Sequence, residues 1–384
     1  MKKEMVMVKK VAEKVSEAGG KMYFVGGFVR DRQLGKESKD IDVEIHGIKP
    51  TKVLEILSSF GEVDKVGESF GVFLIKGVDV DFAMPRYEIK TGEKHTDFDV
   101  TVDPFIGTKG ASKRRDFTMN AIMEDIMTGD VIDHFGGLGD IARHEIKLVN
   151  EKTFQEDALR VLRAIQFSAR FAFGIEEGTR KLMETMSLDG LASERIYGEI
   201  EKGMQKGHPS IFIAQMKSFS NVSNLIPELE KVETGLMKKN NSLAQNVALM
   251  GLRMSDDDFA GLVKGFIQGK QDRKQANQTK RFILDVQEAD SKFAMALTIA
   301  KHRQFIEKYR VFISLNLSTA LNRESAEQLV RMMKVNDSIK LKIDGKWLMD
   351  RGIQPSPKFS ETLNKAIAFS LLGFNENKIM DSIV

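Results

Sequence analysis

Hydrophobic and polar positions follow two different rhythms along this chain, and the change falls after about residue 145. Before it, apolar stretches are short. Tyr23-Phe24-Val25, Glu62 to Val66, Val72 to Ile75 and Val78 to Phe82 have strand length and β-branched or aromatic content, so each predicts a strand. Helical spacing intervenes twice. Residues 1–20 alternate Lys and Glu with Val, Met and Ala and stop at Gly19-Gly20, and Thr51 to Phe60 buries Val53, Leu54, Ile56 and Leu57 on one side. Thr153 to Phe171 repeats at 100° per residue, with Ala158, Val161, Leu162, Ile165 and Ala169 on one face and Arg160, Arg163 and Arg170 on the other. From Leu182 onward the pattern is helical almost throughout, broken at Pro209 and Pro227, with a long helix from Ser325 to Val335. The fold class this order predicts is α+β, with a head of short strands and helices and then an all-helical remainder.

The head is organised around Tyr23-Phe-Val-Gly-Gly-Phe-Val-Arg-Asp31, followed by Lys39-Asp-Ile-Asp-Val-Glu44. The first stretch reads as strand, glycine turn and helix start, with Val29-Arg30-Asp31 opening the helix. Glycines allow close backbone approach and a helix terminus offers unpaired N–H groups, so an anion such as phosphate can sit there, with Arg30 as a charged donor. Asp40 and Asp42, two apart in a β-branched run, share one face and can share divalent cations. Each half also has a plainer reading, as an ordinary turn and a solvated strand edge. Neither a Walker loop nor the full Gly-x-Gly-x-x-Gly is present. Asp79 and Asp81 repeat the two-residue spacing, and a sheet that sets Asp81 beside Asp40 and Asp42 makes a three-carboxylate site. The alternative is the solvated face of an edge strand. Pro85 to His95 is polar and turn-rich and reads as a mobile loop.

Arg114 and Arg115 stand before an apolar run that reads as helical, with Asp116 and Thr118 near its start. Paired arginines can neutralise part of a nucleoside triphosphate in bidentate fashion, or simply open a capped basic helix. Val131 to Gly137 reads as a strand ending in a glycine turn, with Asp133 capping. Asp157 and Arg160 form either an i,i+3 salt bridge or a base-reading pair. Cytosine and adenine present an exocyclic amine beside a ring-nitrogen acceptor, which an aspartate and an arginine match; uracil and guanine do not. Gln268 to Arg281 is polar and basic and reads as a solvated helix face or a phosphate track.

Composition narrows the chemistry. The chain has 384 residues, enough for two or more cored domains, and its formal charge of only +3 confines any nucleic-acid role to local basic patches. No cysteine and six histidines leave oxygen as the donor for a catalytic metal. No apolar run is long enough to span a bilayer, and the basic start lacks a signal-peptide core, so a cytoplasmic protein without membrane contact is expected.

Five stretches, in order, resemble the class II tRNA nucleotidyltransferases (CCA-adding enzymes) and the related bacterial poly(A) polymerases. They are Gly26-Gly-Phe-Val-Arg-Asp31 with Asp40-Ile-Asp42, Arg114-Arg-Asp-Phe-Thr-Met-Asn-Ala121, Asp133-His-Phe-Gly-Gly137, Glu156-Asp-Ala-Leu-Arg-Val-Leu-Arg163 and Glu194-Arg-Ile196. The resemblance covers about residues 20–205, with a weaker likeness from Gly345 to Pro355. It implies a polymerase-β-like nucleotidyltransferase head (1–147), a helical neck that recognises the base (148–205), a helical body (206–270) and a helical tail that binds tRNA (271–384). It implies Mg²⁺ on Asp40 and Asp42, with Asp81 a third catalytic carboxylate. Gly27, Arg30 and Arg115 would meet the triphosphate, Asn120 would join the nucleotide site, Asp157 and Arg160 would read the base, and Arg163 would lie beside it. Gln166 stands where an arginine is usual, and Ser356 where a glycine is usual. The implied activity is addition of CCA to the 3′ end of tRNA from CTP and ATP, with no obligate protein partner. An A-adding or poly(A)-type transferase and an RNA-binding module with an inactive head are the alternatives. The basic signature of poly(A) polymerases is missing after Phe171, and no His-Asp hydrolase pattern follows residue 200, so neither that specificity nor an added hydrolase domain is expected.

Overall fold

The computed structural model describes residues 2–38, 40–64, 71–90, 98–313, 320–321, 323–338 and 343–383. The chain divides into two compact units, residues 1–224 and 225–384. The first takes in the stretches expected as head and neck, together with residues 206–224.

In the first unit, α1 (Lys2–Glu17) leads into β1 (Lys21–Val25), α2 (Gly26–Gln33), β2 (Ile41–His46), α3 (Pro50–Ser58), β3 (Val63–Asp64), β4 (Val72–Ile75) and β5 (Val80–Ala83). Then come β6 (Arg86–Lys90), β7 (Phe98–Val102), α4 (Gly107–Lys113), a 3₁₀ turn (Thr118–Asn120), β8 (Met123–Asp125), β9 (Val131–Ile132), α5 (Gly137–Ala142) and β10 (Glu145–Ile146). Seven strands form one sheet in the order β3-β4-β5-β2-β1-β8-β9. β2 runs parallel to β5 and antiparallel to β1, so the strand carrying the Asp-x-Asp motif is interior and nearly all buried. β1 ends where Gly26 takes φ +63°, and α2 starts at that residue. The glycines are thus the first helical turn rather than a separate turn before Val29.

Three expectations need correction. Residues 86–90 are a strand, paired antiparallel with 98–102, not part of a loop. Apolar residues alternate at 87 and 89 and at 98, 100 and 102, a period of two that the polar content masked; residues 91–97 of the expected loop lie outside the described residues, as does Lys39. Arg114 and Arg115 do not open a helix. They leave the C-terminus of α4, and only one 3₁₀ turn follows, because Phe117 bridges Leu148 and Met123 enters β8 beside β1. Nor is β5 an edge strand: it lies between β4 and β2, with Asp81 exposed on its open face. The strand expected at Glu62 to Val66 is seen at Val63–Asp64, its last two residues being outside the described ones.

Helices complete the unit: α6 (Glu151–Gln155), α7 (Leu159–Phe171), then strand β11 (Gly174–Ile175), α8 (Glu177–Thr185), α9 (Ser193–Lys206), α10 (Pro209–Ser218) and α11 (Ser220–Ser223). α7 buries Val161, Leu162, Ile165 and Ala169 as its periodicity requires, and packs on α9 and α10. Its C-terminus is set by Ala172 in the left-handed conformation, whose N–H bonds Ser168 O.

Among its described residues the second unit has a 3₁₀ turn (Pro227–Lys231) and helices α12 (Leu243–Met250), α13 (Asp256–Phe266), α14 (Lys270–Glu288), α15 (Lys292–Lys301), α16 (Arg303–Lys308), α17 (Arg323–Ser338), α18 (Gly345–Met349), α19 (Phe359–Leu371) and α20 (Glu376–Ile383). One apolar cluster joins α14, α15, α17, α18 and α19 through Phe282, Val286, Met295, Ile299, Leu329, Leu348 and Ala366. Each fully buried Val, Leu, Ile, Phe or Met side chain there contributes about 1.5–3 kcal/mol. No helix among the described residues is long and apolar enough to cross a membrane.

Candidate active site

The first unit holds a cavity of about 520 Å³ at the end of β1 and β2. One wall is the sheet: Gly26 and Gly27, Asp40 just before β2, and Asp42 within it. The other is helical: Asp157 before α7, Arg160, Arg163 and Gln166 on α7, and Arg195, Lys202 and Lys206 on α9. Arg114, Arg115, Asp116 and Asn120 come from the segment between α4 and β8. Ten arginines and lysines face five aspartates among the described lining residues, a formal excess of five positive charges in a chain that is almost neutral overall. Such a concave excess suits a polyanion.

Glycine is required at the turn. A Cβ on Gly26 would stand 3.3 Å from Arg115 Nη1 and 3.6 Å from Asp42 Oδ2, at a φ that side chains rarely adopt. One on Gly27 would stand 3.3 Å from Arg30 Nη2. Arg30 itself is 3% exposed and committed within the protein. Its Nε and Nη2 donate to Asp31 Oδ1 (2.8 and 2.7 Å), Nη1 donates to Asn120 Oδ1 (2.7 Å), and Phe167 and Phe171 flank it. It is a buried strut under the glycines, and Asn120 is the next member of the same chain, donating to Asp116 Oδ1 at 2.9 Å. Asp116 also receives Arg163 Nε at 2.8 Å. Burial pushes the Asp116 carboxyl up, but Arg163 and Asn120 outweigh it and hold it below the usual carboxylate range.

The Asp157–Arg160 pair makes no plain i,i+3 bridge. Asp157 Oδ2 accepts from Arg195 Nη2 on α9 (2.8 Å) and Oδ1 from the Leu159 N–H (3.1 Å). Arg160 donates to the carbonyls of Thr153 and Arg114, both at 2.9 Å. Both side chains line the cavity and are fixed there by these partners, Arg195 being itself part of the lining. Gln166, 2% exposed, lies about one turn beyond Arg163 on α7. Arg195 belongs to a quoted motif without a role read from it, and Lys202 and Lys206 carried no signal singly. With spacings of seven and four they form one stripe on α9, which helical periodicity could have exposed.

The carboxylates divide. Asp42 and Asp81 are register partners on parallel strands, yet Asp81 is not among the cavity's lining residues, and among the described residues no three carboxylates or histidines gather as a metal cage. Asp81 thus stands beside Asp42 in the sheet, while Asp40 and Asp42 are the two of these three that line the cavity. Burial pushes the Asp42 carboxyl up; Arg115 opposes this and the like charges of Asp81 and Asp40 add to it. A crowded, half-buried carboxylate with hard oxygen donors beside it fits Mg²⁺, which binds through one or two carboxylates and completes its shell with phosphate and water oxygens. The residues present thus fit the metal as a pair.

A mixed sheet with acidic residues on its central strand, a glycine turn and an arginine-rich wall defines a nucleotidyltransferase head. Residues 22–147 match the family described as "Poly A polymerase head domain", and residues 172–233 match "Probable RNA and SrmB- binding site of polymerase A". The match to the head-domain model thus covers about a third of the chain. It is 37% identical over 217 residues to the "Multifunctional CCA protein" of Stenotrophomonas maltophilia (strain K279a), covering 55% of this chain and 52% of that protein, and 35% identical over 213 residues to the protein of that name from Nitrosococcus oceani, covering 54% and 51%. The chain thus spans about half the length of these curated relatives. Its fold is that of the Bacillus stearothermophilus CCA-adding enzyme solved in complex with CTP (TM-score 0.71, 22% identity, 100% of this chain and 98% of that one). It is equally that of the Thermotoga maritima CCA-adding enzyme solved with tRNA_CCA (0.66, 22%, 100% and 97%).

Proposed function

We propose that this protein adds CCA to the 3′ end of tRNA from CTP and ATP, releasing pyrophosphate, in the cytoplasm. The observation that carries the reading is the pairing, across one cavity, of the Gly26–Asp42–Arg115 wall with Asp157 and Arg160 held by their own partners.

The chain's residues divide the work by position. The N–H groups at the start of α2 and the Arg115 guanidinium take the triphosphate, with Gly26 and Gly27 leaving room for it. Asp157 uses two of roughly four acceptor positions on Arg195 and Leu159 N–H, which leaves acceptors for the exocyclic amine of C or A. Arg160 donates to the neighbouring ring nitrogen. Uracil or guanine would leave buried groups unpaired at about 1–3 kcal/mol each. Asp40 and Asp42 would hold Mg²⁺, which supplies Lewis-acid stabilisation of the phosphoryl oxygens. Arg163, locked on Asp116, and Arg30, locked on Asp31 and Asn120, keep the two walls in place. The remaining positive charges on α9 suit the RNA backbone beside the nucleotide.

The test is extension of tRNA lacking its terminal CCA, with each triphosphate singly and with CTP plus ATP. Two C followed by one A, ending there, is expected. Addition of A alone or of a long A tract would replace this specificity with that of an A-adding or poly(A)-type enzyme, and no addition would leave an RNA-binding module.

A further inference from the structure

The acidic motif does not end at Asp42. Asp40, just before β2, is followed at two-residue spacing by Asp42 and Glu44, which strand alternation places on one face of β2. Glu44 has no accessible surface. Its Oε1 is hydrogen-bonded to His46 Nε2 at 2.8 Å, and the His46 ring is set edge-on against Tyr23. Its Oε2 has no hydrogen bond among the described residues and stands 3.6 Å from both Arg114 Nη2 and Arg115 Nη2. That distance is an ion pair without a hydrogen bond.

A fully buried carboxylate with one oxygen unmatched is costly, so its placement asks for a reason. Arg115 spans the interval between the two carboxylates: one terminal nitrogen lies over Gly26 near Asp42, the other faces Glu44. With Glu44 gone, the attraction of Asp42 for Arg115 is unopposed, and the guanidinium would move toward it. We propose that Glu44 is a positioning residue for nucleotide binding, holding Arg115 by charge at a distance that leaves its N–H groups for a triphosphate. The proposal rests on the nucleotidyl-transfer reading and adds to it a residue that touches neither substrate.

Equilibrium binding of CTP, and separately of tRNA lacking CCA, to the full chain tests this with Glu44→Gln, Arg115→Ala and the double variant. Glu44→Gln should weaken CTP about tenfold and leave RNA affinity within about twofold, and the double variant should bind CTP no worse than Arg115→Ala alone. A merely structural Glu44 would instead lower both affinities, or add its full effect to that of Arg115→Ala, and either result overturns the proposal. So does wild-type CTP affinity in Glu44→Gln. Should circular dichroism show that Glu44→Gln is unfolded, Glu44→Asp keeps the charge but withdraws it by one methylene; the same selective loss is expected, and wild-type CTP affinity is again fatal. If the wild-type chain binds no triphosphate, the transfer reading falls and this one with it; normal wild-type binding with an unaffected Glu44 variant removes only this one.

Discussion

Asp285 in the second unit and Glu44 in the first are both buried carboxylates set among cations, and they are satisfied in opposite ways. Asp285, on α14, meets Arg281 Nε (2.7 Å), Lys301 Nζ (2.7 Å) and His302 Nε2 (2.6 Å), so both oxygens are claimed and the group ties α14 to the end of α15. Glu44 has one oxygen on His46 and the other turned, unbonded, toward two arginines on a cavity wall. A saturated buried charge serves the fold. One left partly open, beside a charged cavity, is arranged for something outside the chain. Asp116 belongs with Asp285, since Phe117 N–H, Asn120 and Arg163 occupy it, while Asp42 belongs with Glu44.

Asp42→Asn tests this contrast most severely. Addition of nucleotides should fall by about 10³-fold or more, equivalent to about 4 kcal/mol in the barrier, while the melting temperature holds or rises because a crowded, half-buried charge is removed. Retained extension of tRNA would place Asp42 with the structural carboxylates. Asp285→Ala should show the reverse. Leaving its cations without their anion is expected to cost about 2–3 kcal/mol of stability, read as a lower denaturant midpoint, with CTP affinity unchanged. Asp157→Ala comes next: preference for CTP over UTP, measured as the ratio of kcat/KM values, should shrink about 10-fold to 100-fold with little change in melting temperature.

The smallest effect is on pH. Burial pushes His302 below the ordinary imidazole value despite Asp285, so the unfolded chain takes up that proton first and stability falls as pH drops through the imidazole range. Burial raises the Asp285 carboxyl, but Lys301 and His302 overrule it and hold it low. Its contribution is complete above the unfolded carboxylate value and is lost as pH falls through the lower folded one. Urea unfolding from pH 7 to pH 4 should show the His302 loss, and carried on below about pH 4 it should show the Asp285 loss, which Asp285→Asn should flatten.

What could be read from the residues alone is what local geometry governs. The step from strand to glycine to helix at Tyr23–Asp31, the shared face of Asp40 and Asp42, and the buried side of α7 all follow from periods of two and 3.6, which act over a few residues. The same periods failed at Arg86–Lys90, where a polar strand needed its partner at 98–102, and at Arg115–Ile122, where an apolar run was taken up by a bridge to Leu148 and by β8 rather than by a helix. Only the tertiary structure decided which charges are free to act. Arg30 looked like a phosphate donor and is spent on Asp31 and on Asn120, ninety residues away; Asp157 looked like a partner for Arg160 and is held by Arg195, thirty-eight residues on. Periodicity tells a side chain which way to face. Whether a charge so placed is saturated or left open depends on partners brought in by sheet register and helix packing, and those distances are not written in any short stretch of sequence.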